Sequence, residues 1–132
     1  MRENLPVPFP YHNPLLNRRV RRRVAAFTGE SYRLGASEQQ LIQVMVDESR
    51  TAGRRLVIVF APVHPTARAM LLKDDLRELS AYGETLATHE HVTVIDATSV
   101  LTAQDFYDEL HVATSGARRL TTLIAKSMAP AH

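Results

Sequence analysis

The sequence predicts an α/β fold: a three-layer α/β/α arrangement in which a short parallel sheet carries helices on both faces. Three observations predict it. The uninterrupted apolar run Leu56-Val57-Ile58-Val59-Phe60-Ala61 has the character of a strand covered on both faces. A second short run, Val92-Thr93-Val94-Ile95-Asp96, follows it after a segment with leucines at helical spacing. Helical patterns also precede the first run and follow the second, and this alternation is that of a parallel sheet with crossover helices.

Taken in order, residues 1–16 hold Pro6, Pro8, Pro10 and Pro14 without any periodicity, which reads as an extended arm. Residues 17–36 form an arginine-rich segment. Within it Val24-Ala25-Ala26-Phe27 reads either as a short buried strand or as the end of a helix, and Gly29-Glu30-Ser31 reads as a turn. The pattern becomes continuous over residues 37–132. Ser37 and Gln40 have capping-box spacing and Gly53 offers a stop, while Leu41, Ile42, Met45 and Ala52 line one helical face between them.

The first strand, Leu56 to Ala61, is ended by Pro62-Val63-His64-Pro65. A second helix over roughly Ala67 to Thr88 carries Leu72, Leu76, Leu79 and Leu86. Past the second strand a loop runs to Phe106-Tyr107, and a last helix from about Ser115 to Met128 buries Ala117, Leu120, Leu123 and Ile124. Ligands of such sheets bind beyond the carboxyl ends of the strands, here Ala61-Pro62-Val63-His64 and Asp96-Ala97-Thr98-Ser99.

Composition narrows the function classes. A chain of 132 residues makes one domain with a real core. No apolar run approaches the roughly 20 residues that cross a bilayer, so no membrane span is expected. The prolines after Met1 break any secretory apolar region, which leaves the cytoplasm as the default expectation. With no cysteine there is no disulfide framework, thiolate zinc site or cysteine nucleophile. Residues 1–35 hold seven Arg against two Glu, and five of those arginines lie in Asn17-Arg18-Arg19-Val20-Arg21-Arg22-Arg23. Such a run can bind nucleic acid or another anionic polymer through its charge alone. It lacks the interleaved aromatics of a base-stacking surface, so a solvated face is the preferred reading.

The richest stretch for chemistry is Phe106-Tyr107-Asp108-Glu109-Leu110-His111-Val112-Ala113-Thr114-Ser115-Gly116-Ala117. An Asp three residues before a His, just ahead of a helix, can set a carboxylate against the imidazole. The carboxylate then fixes the tautomer and steadies the imidazolium formed when the His takes a proton. Among the other histidines, His64 stands at a strand's carboxyl end, followed by an ordinary Pro65 turn. His89-Glu90-His91 has metal-ligand residue types but reads as a solvated helix-to-strand loop. Asp74, Asp75 and Glu78 read as an exposed helix face.

Asp108-x-x-His111, followed by Ser115-Gly116-Ala117 and the helix from Arg118, resembles the last conserved block of the SGNH/GDSL hydrolase superfamily. The strand ending at Ala61-Pro62, the long helix and the strand ending at Asp96 are similar to the last two strands of that flavodoxin-like fold. The likeness covers about residues 38–128 and is nearest to the O-acetyltransferase and D-alanyl-transfer branches. It implies a hydrolase or acyltransferase of small-molecule or glycan esters. His111 would be its general base, Asp108 the group that orients it, and no cofactor or metal would be needed.

The superfamily carries its nucleophile in a Gly-Asp-Ser turn, for which this sequence offers only Gly29-Glu30-Ser31, making Ser31 the candidate nucleophile. The chain departs from the pattern elsewhere. Asn occurs only at positions 4, 13 and 17, all ahead of Ser31, so none can fill the family's later oxyanion block, and Gly35 and Gly53 lack the context of its Gly block. Two explanations fit. In the preferred one the chain holds the C-terminal half of the fold and lacks its N-terminal side, with the nucleophile on a missing segment or another chain. Its open strand edges then make it associate with another chain or with itself. In the other, the chain is a shortened relative in which Ser31 serves. The alternative function is a non-catalytic half-fold that serves as a binding or assembly module.

Overall fold

The computed structural model describes residues 18, 22, 34–70, 73–108 and 111–129 of the chain. The expected arm over residues 1–16, the Val24–Phe27 run, the Gly29-Glu30-Ser31 turn and Leu72 lie outside the described residues.

Helix α1 spans Ala36–Thr51. It begins one residue before Ser37, so its N-cap is Gly35 with no side-chain cap, and the expected Ser37–Gln40 box is not made. Gln39 instead donates its side-chain amide to the Leu34 carbonyl at 3.1 Å. Its C-terminus closes as the sequence implies. Gly53 takes φ +65°, a left-handed conformation natural to glycine, while its N–H reaches Arg50 O at 3.0 Å and the Arg54 N–H reaches Ser49 O at 2.8 Å. This turn reverses the chain into strand β1, Leu56–Phe60.

The helix expected after β1 is described on either side of residues 71–72. Helix α2 is Pro65–Met70, with Pro65 at its first position, where a missing N–H is harmless, and helix α3 is Lys73–Leu86. Strand β2 is Val92–Asp96 and pairs in parallel with β1, Leu56 opposite Val92 and Phe60 opposite Asp96. A 3₁₀ turn at Ala103–Asp105 and an isolated antiparallel bridge between Phe106 and Val112 lead into helix α4, Thr114–Met128. Among the described residues the sheet has two strands. No helix among them is long and apolar enough to cross a membrane.

The core forms where α1 and α3 meet the sheet. Val46, Leu86 and Val92 are buried together, with Ile42, Leu56, Ile58, Tyr82 and Val94 packed around them. The face of α1 turned to the sheet is therefore Ile42 and Val46. Leu41 and Met45, expected on that face, are exposed. A second close approach is at Gly83, where a Cβ would stand 2.7 Å from the Phe60 ring and 3.2 Å from Val94 Cγ1. Helix α3 can lie on the sheet there because it has no side chain at that point. In α4 the buried residue is Gly116, Leu120, Leu123 and Ile124 are half-buried, and Ala117 is exposed, contrary to expectation.

Candidate active site

The carboxyl ends of both strands are tied to one another. Ala97 N–H donates to Phe60 O at 3.0 Å and Val63 N–H to Thr98 O at 3.1 Å, and the Arg68 guanidinium adds a bond to Thr98 O at 3.3 Å. His64, buried just past β1, accepts the Thr66 N–H on Nδ1 at 3.1 Å. Its ring stands edge-on to Phe106, with centroids 5.1 Å apart. Phe106 is itself almost fully buried. The loop that follows the 3₁₀ turn is thus rooted at the carboxyl end of the sheet, the end at which ligands of such sheets are expected to bind.

That loop is anchored by a residue the sequence reading passed over. Asp105 is only 2% exposed. Its Oδ2 accepts the Thr102 N–H at 3.0 Å and the Thr102 hydroxyl at 3.1 Å, and its Oδ1 accepts the Ser115 hydroxyl at 3.1 Å. Arg119 on α4 approaches Oδ2 at 3.4 Å. Burial alone pushes the Asp105 carboxyl up. The Thr102 N–H, the Ser115 and Thr102 hydroxyls and the Arg119 charge more than offset this, so its pKa lies below the ordinary carboxylate value.

The Asp105 backbone carbonyl accepts the Ala113 N–H at 2.7 Å. A Cβ on Gly116 would collide with this carbonyl and stand 2.5 Å from Val112 Cγ1. Asp105 and Gly116 together hold the start of α4 against the 3₁₀ turn. The sequence signal was available: Thr102-x-x-Asp105 is a capping-box spacing, and both reciprocal bonds are made.

At the tip of this loop stand Asp108 and His111. Tyr107 N–H donates to His111 O at 2.7 Å and closes the turn beside the Phe106–Val112 bridge. The His111 N–H donates to Asp108 Oδ1 at 2.7 Å, and His111 Nδ1 lies 2.9 Å from Oδ1 and 2.8 Å from Oδ2. Because a carboxylate only accepts, these distances put a proton on Nδ1 and leave Nε2 pointing away from Asp108. The side chain of His111 is 74% exposed and that of Asp108 28%. One edge of the imidazole is fixed by two contacts while the other faces solvent.

The remaining sequence candidates fall apart from this pair. Ser31 lies outside the described residues, so its position relative to His111 is not part of the site geometry. His91 is structural: its Nε2 meets the Val46 carbonyl of α1 at 2.8 Å, and its neighbour His89 takes a contact from Arg50 at 3.3 Å. Among the described residues no three His, Asp or Glu side chains are grouped as metal ligands would be. Arg18 and Arg22 lie on helical backbone with exposed side chains, while Arg19, Arg21 and Arg23 lie outside the described residues. Comparison with family models, with characterised proteins and with solved structures finds no match to this chain.

Proposed function

We propose that this chain is an ester hydrolase or O-acyltransferase of the SGNH kind, with His111 as general base and Asp108 as the group that orients it. The observation that carries the reading is the paired contact of Asp108 with Nδ1 and with the backbone N–H of His111, which turns Nε2 outward. In the first step Nε2 takes the proton of a serine hydroxyl as the oxygen bonds to the acyl carbonyl. The resulting imidazolium is steadied by Asp108 and returns that proton to the departing alcohol as the ester bond breaks. In the second step Nε2 takes a proton from water, for hydrolysis, or from an acceptor alcohol, for acyl transfer, and the acyl–serine bond is cleaved with the proton returned to the serine oxygen.

Ser31 is the nucleophile this reading assigns. The finer fold reading, a three-layer sandwich of the flavodoxin-like kind, goes with it. Supporting that reading, the sheet residues on the Leu56, Ile58 and Val94 face pack against both α1 and α3, while α4 meets β2. The test is turnover of short acyl esters by the wild-type chain and by His111→Ala. The account expects a folded His111→Ala protein slower by about 10²–10⁴-fold, the usual contribution of a positioned base. Equal turnover by both folded proteins removes the assignment.

A further inference from the structure

Strand β1 has the composition of an interior strand but the surroundings of an edge. Leu56, Val57, Ile58, Val59 and Phe60 are apolar toward both faces, as in the strands of a parallel sheet covered on both faces. Yet among the described residues only β2 pairs with it, and Leu56 to Val59 stay half-buried. Leu56 N–H donates to His91 O and Phe60 O accepts the Ala97 N–H, so the backbone groups of Leu56, Ile58 and Phe60 face β2. By the alternation of a strand, those of Val57 and Val59 face the opposite way, along the outer edge. Strand β2 instead carries Thr93 and Asp96, the polar content expected of a sheet's true border.

Helix α1 adds an apolar wall above the same edge. Arg50 and the Val46 carbonyl reach His89 and His91, just ahead of β2, which fixes the flank of α1 that looks toward β2. At 100° per residue, Leu41, Met45 and Ala52 fall on the other flank, over the outer edge of β1. Leu41 is 66% exposed and Met45 52%. The charges are polarised along this surface. The turn through Gly53 makes α1 and β1 antiparallel, so Glu38 stands near the carboxyl end of β1 and Arg54-Arg55 at its amino end. All three side chains are exposed, with no ion-pair partner among the described residues.

We propose that this surface binds a second copy of the chain, β1 pairing antiparallel with β1 across a two-fold axis centred on Ile58. Val57 of one copy then faces Val59 of the other, and their outward N–H and C=O groups bond in both directions. The two sheets become one of four strands, and the Leu41–Met45 flanks of the two α1 helices cover each other. The same two-fold brings Glu38 of each copy over Arg54 and Arg55 of the other. A surface apolar along its centre and opposite in charge at its two ends is self-complementary, as a two-fold interface requires. The proposal stands apart from the hydrolytic reading, and its test does not use activity.

The test is sedimentation equilibrium of the full chain over a range of concentrations. The expected species has twice the 14.8 kDa chain mass. Met45→Glu, at a solvent-exposed position, weakens association by at least about tenfold, or 1.4 kcal/mol, without altering the circular dichroism of the monomer. Val59→Pro removes an outward N–H and leaves the pairing with β2 intact, and it weakens association likewise. Glu38→Arg and the pair Arg54→Glu, Arg55→Glu each weaken association, and the three together restore it. A 14.8 kDa species at every concentration up to about 1 mM overturns the proposal. So does a dimer that neither Met45→Glu nor the charge reversals disturb.

Discussion

Asp105→Asn isolates the charge that fastens the site loop to α4. The carboxylate accepts three hydrogen bonds, from Thr102 N–H, the Thr102 hydroxyl and the Ser115 hydroxyl, and stands 3.4 Å from Arg119. The amide keeps the shape but has one acceptor oxygen for donors on two sides, and its NH₂ must face a donor on one of them. A bond to a charged acceptor contributes about 1.5–3 kcal/mol, and a buried donor left without one costs about 1–3 kcal/mol. Exchanging one such contact for an opposed donor pair therefore destabilises the domain by about 2–4 kcal/mol, a large share of the 5–15 kcal/mol typical of a domain.

The pH dependence carries a sign as well. Asp105 has a lower pKa folded than unfolded, so the unfolded chain binds more protons as pH falls. The carboxylate's contribution is complete above the ordinary unfolded value near 4 and is lost as pH drops below it through the folded value. Urea unfolding of wild type and variant from pH 7 to pH 3 reads both effects. The variant's deficit should be largest at pH 7 and shrink on the acid side. A difference below about 0.5 kcal/mol at pH 7, or one that grows toward pH 3, refutes the anchor as described.

Further predictions follow from the packing. Gly116→Ala drives a methyl into the Asp105 carbonyl and Val112, and chemical denaturation should show a loss of about 1–3 kcal/mol together with displaced His111 resonances. Gly53→Ala places a Cβ at φ +65° in open space, so thermal unfolding should report a cost of about 1 kcal/mol from the backbone alone. Val46→Ala opens the centre of the core at a fully buried position and should cost about 2 kcal/mol by urea titration. His111→Gln, by contrast, alters a side chain that is mostly exposed, and its unfolding midpoint should match wild type within about 0.5 kcal/mol.

The parts of the fold that sequence made legible are those governed by local rules. An unbroken apolar run locates β1 and a short valine- and isoleucine-rich run locates β2, to the residue for Val92–Asp96, and Gly53 marks the end of α1 because glycine suits that left-handed turn. The inward face of α1 is not legible in the sequence because Leu41, Ile42, Met45 and Val46 are all apolar. Periodicity cannot then separate the flank that meets the sheet from the flank that overhangs its edge. Ala117 is exposed where helical spacing predicts burial, because the buried position is Gly116, held against the distant Asp105 carbonyl.

The site was readable where it is local. His111 follows Asp108 by three positions, and that spacing brings the carboxylate onto both Nδ1 and the backbone N–H. Asp105 is legible only in part: the Thr102 spacing marks its turn, but its partners Ser115 and Arg119 lie on α4 and come near only once the loop has folded back. His64 was hard to place for a similar reason: its burial depends on Phe106, which arrives from far along the chain.

The account turns on His111 acting as the base for a serine nucleophile. The most direct measurement is labelling of the purified, folded chain with a fluorophosphonate, with the adduct located by mass spectrometry. The account predicts a single adduct at Ser31 in wild type and its loss in folded His111→Ala. A folded wild-type chain that takes up no label, or one labelled equally with and without His111, contradicts it.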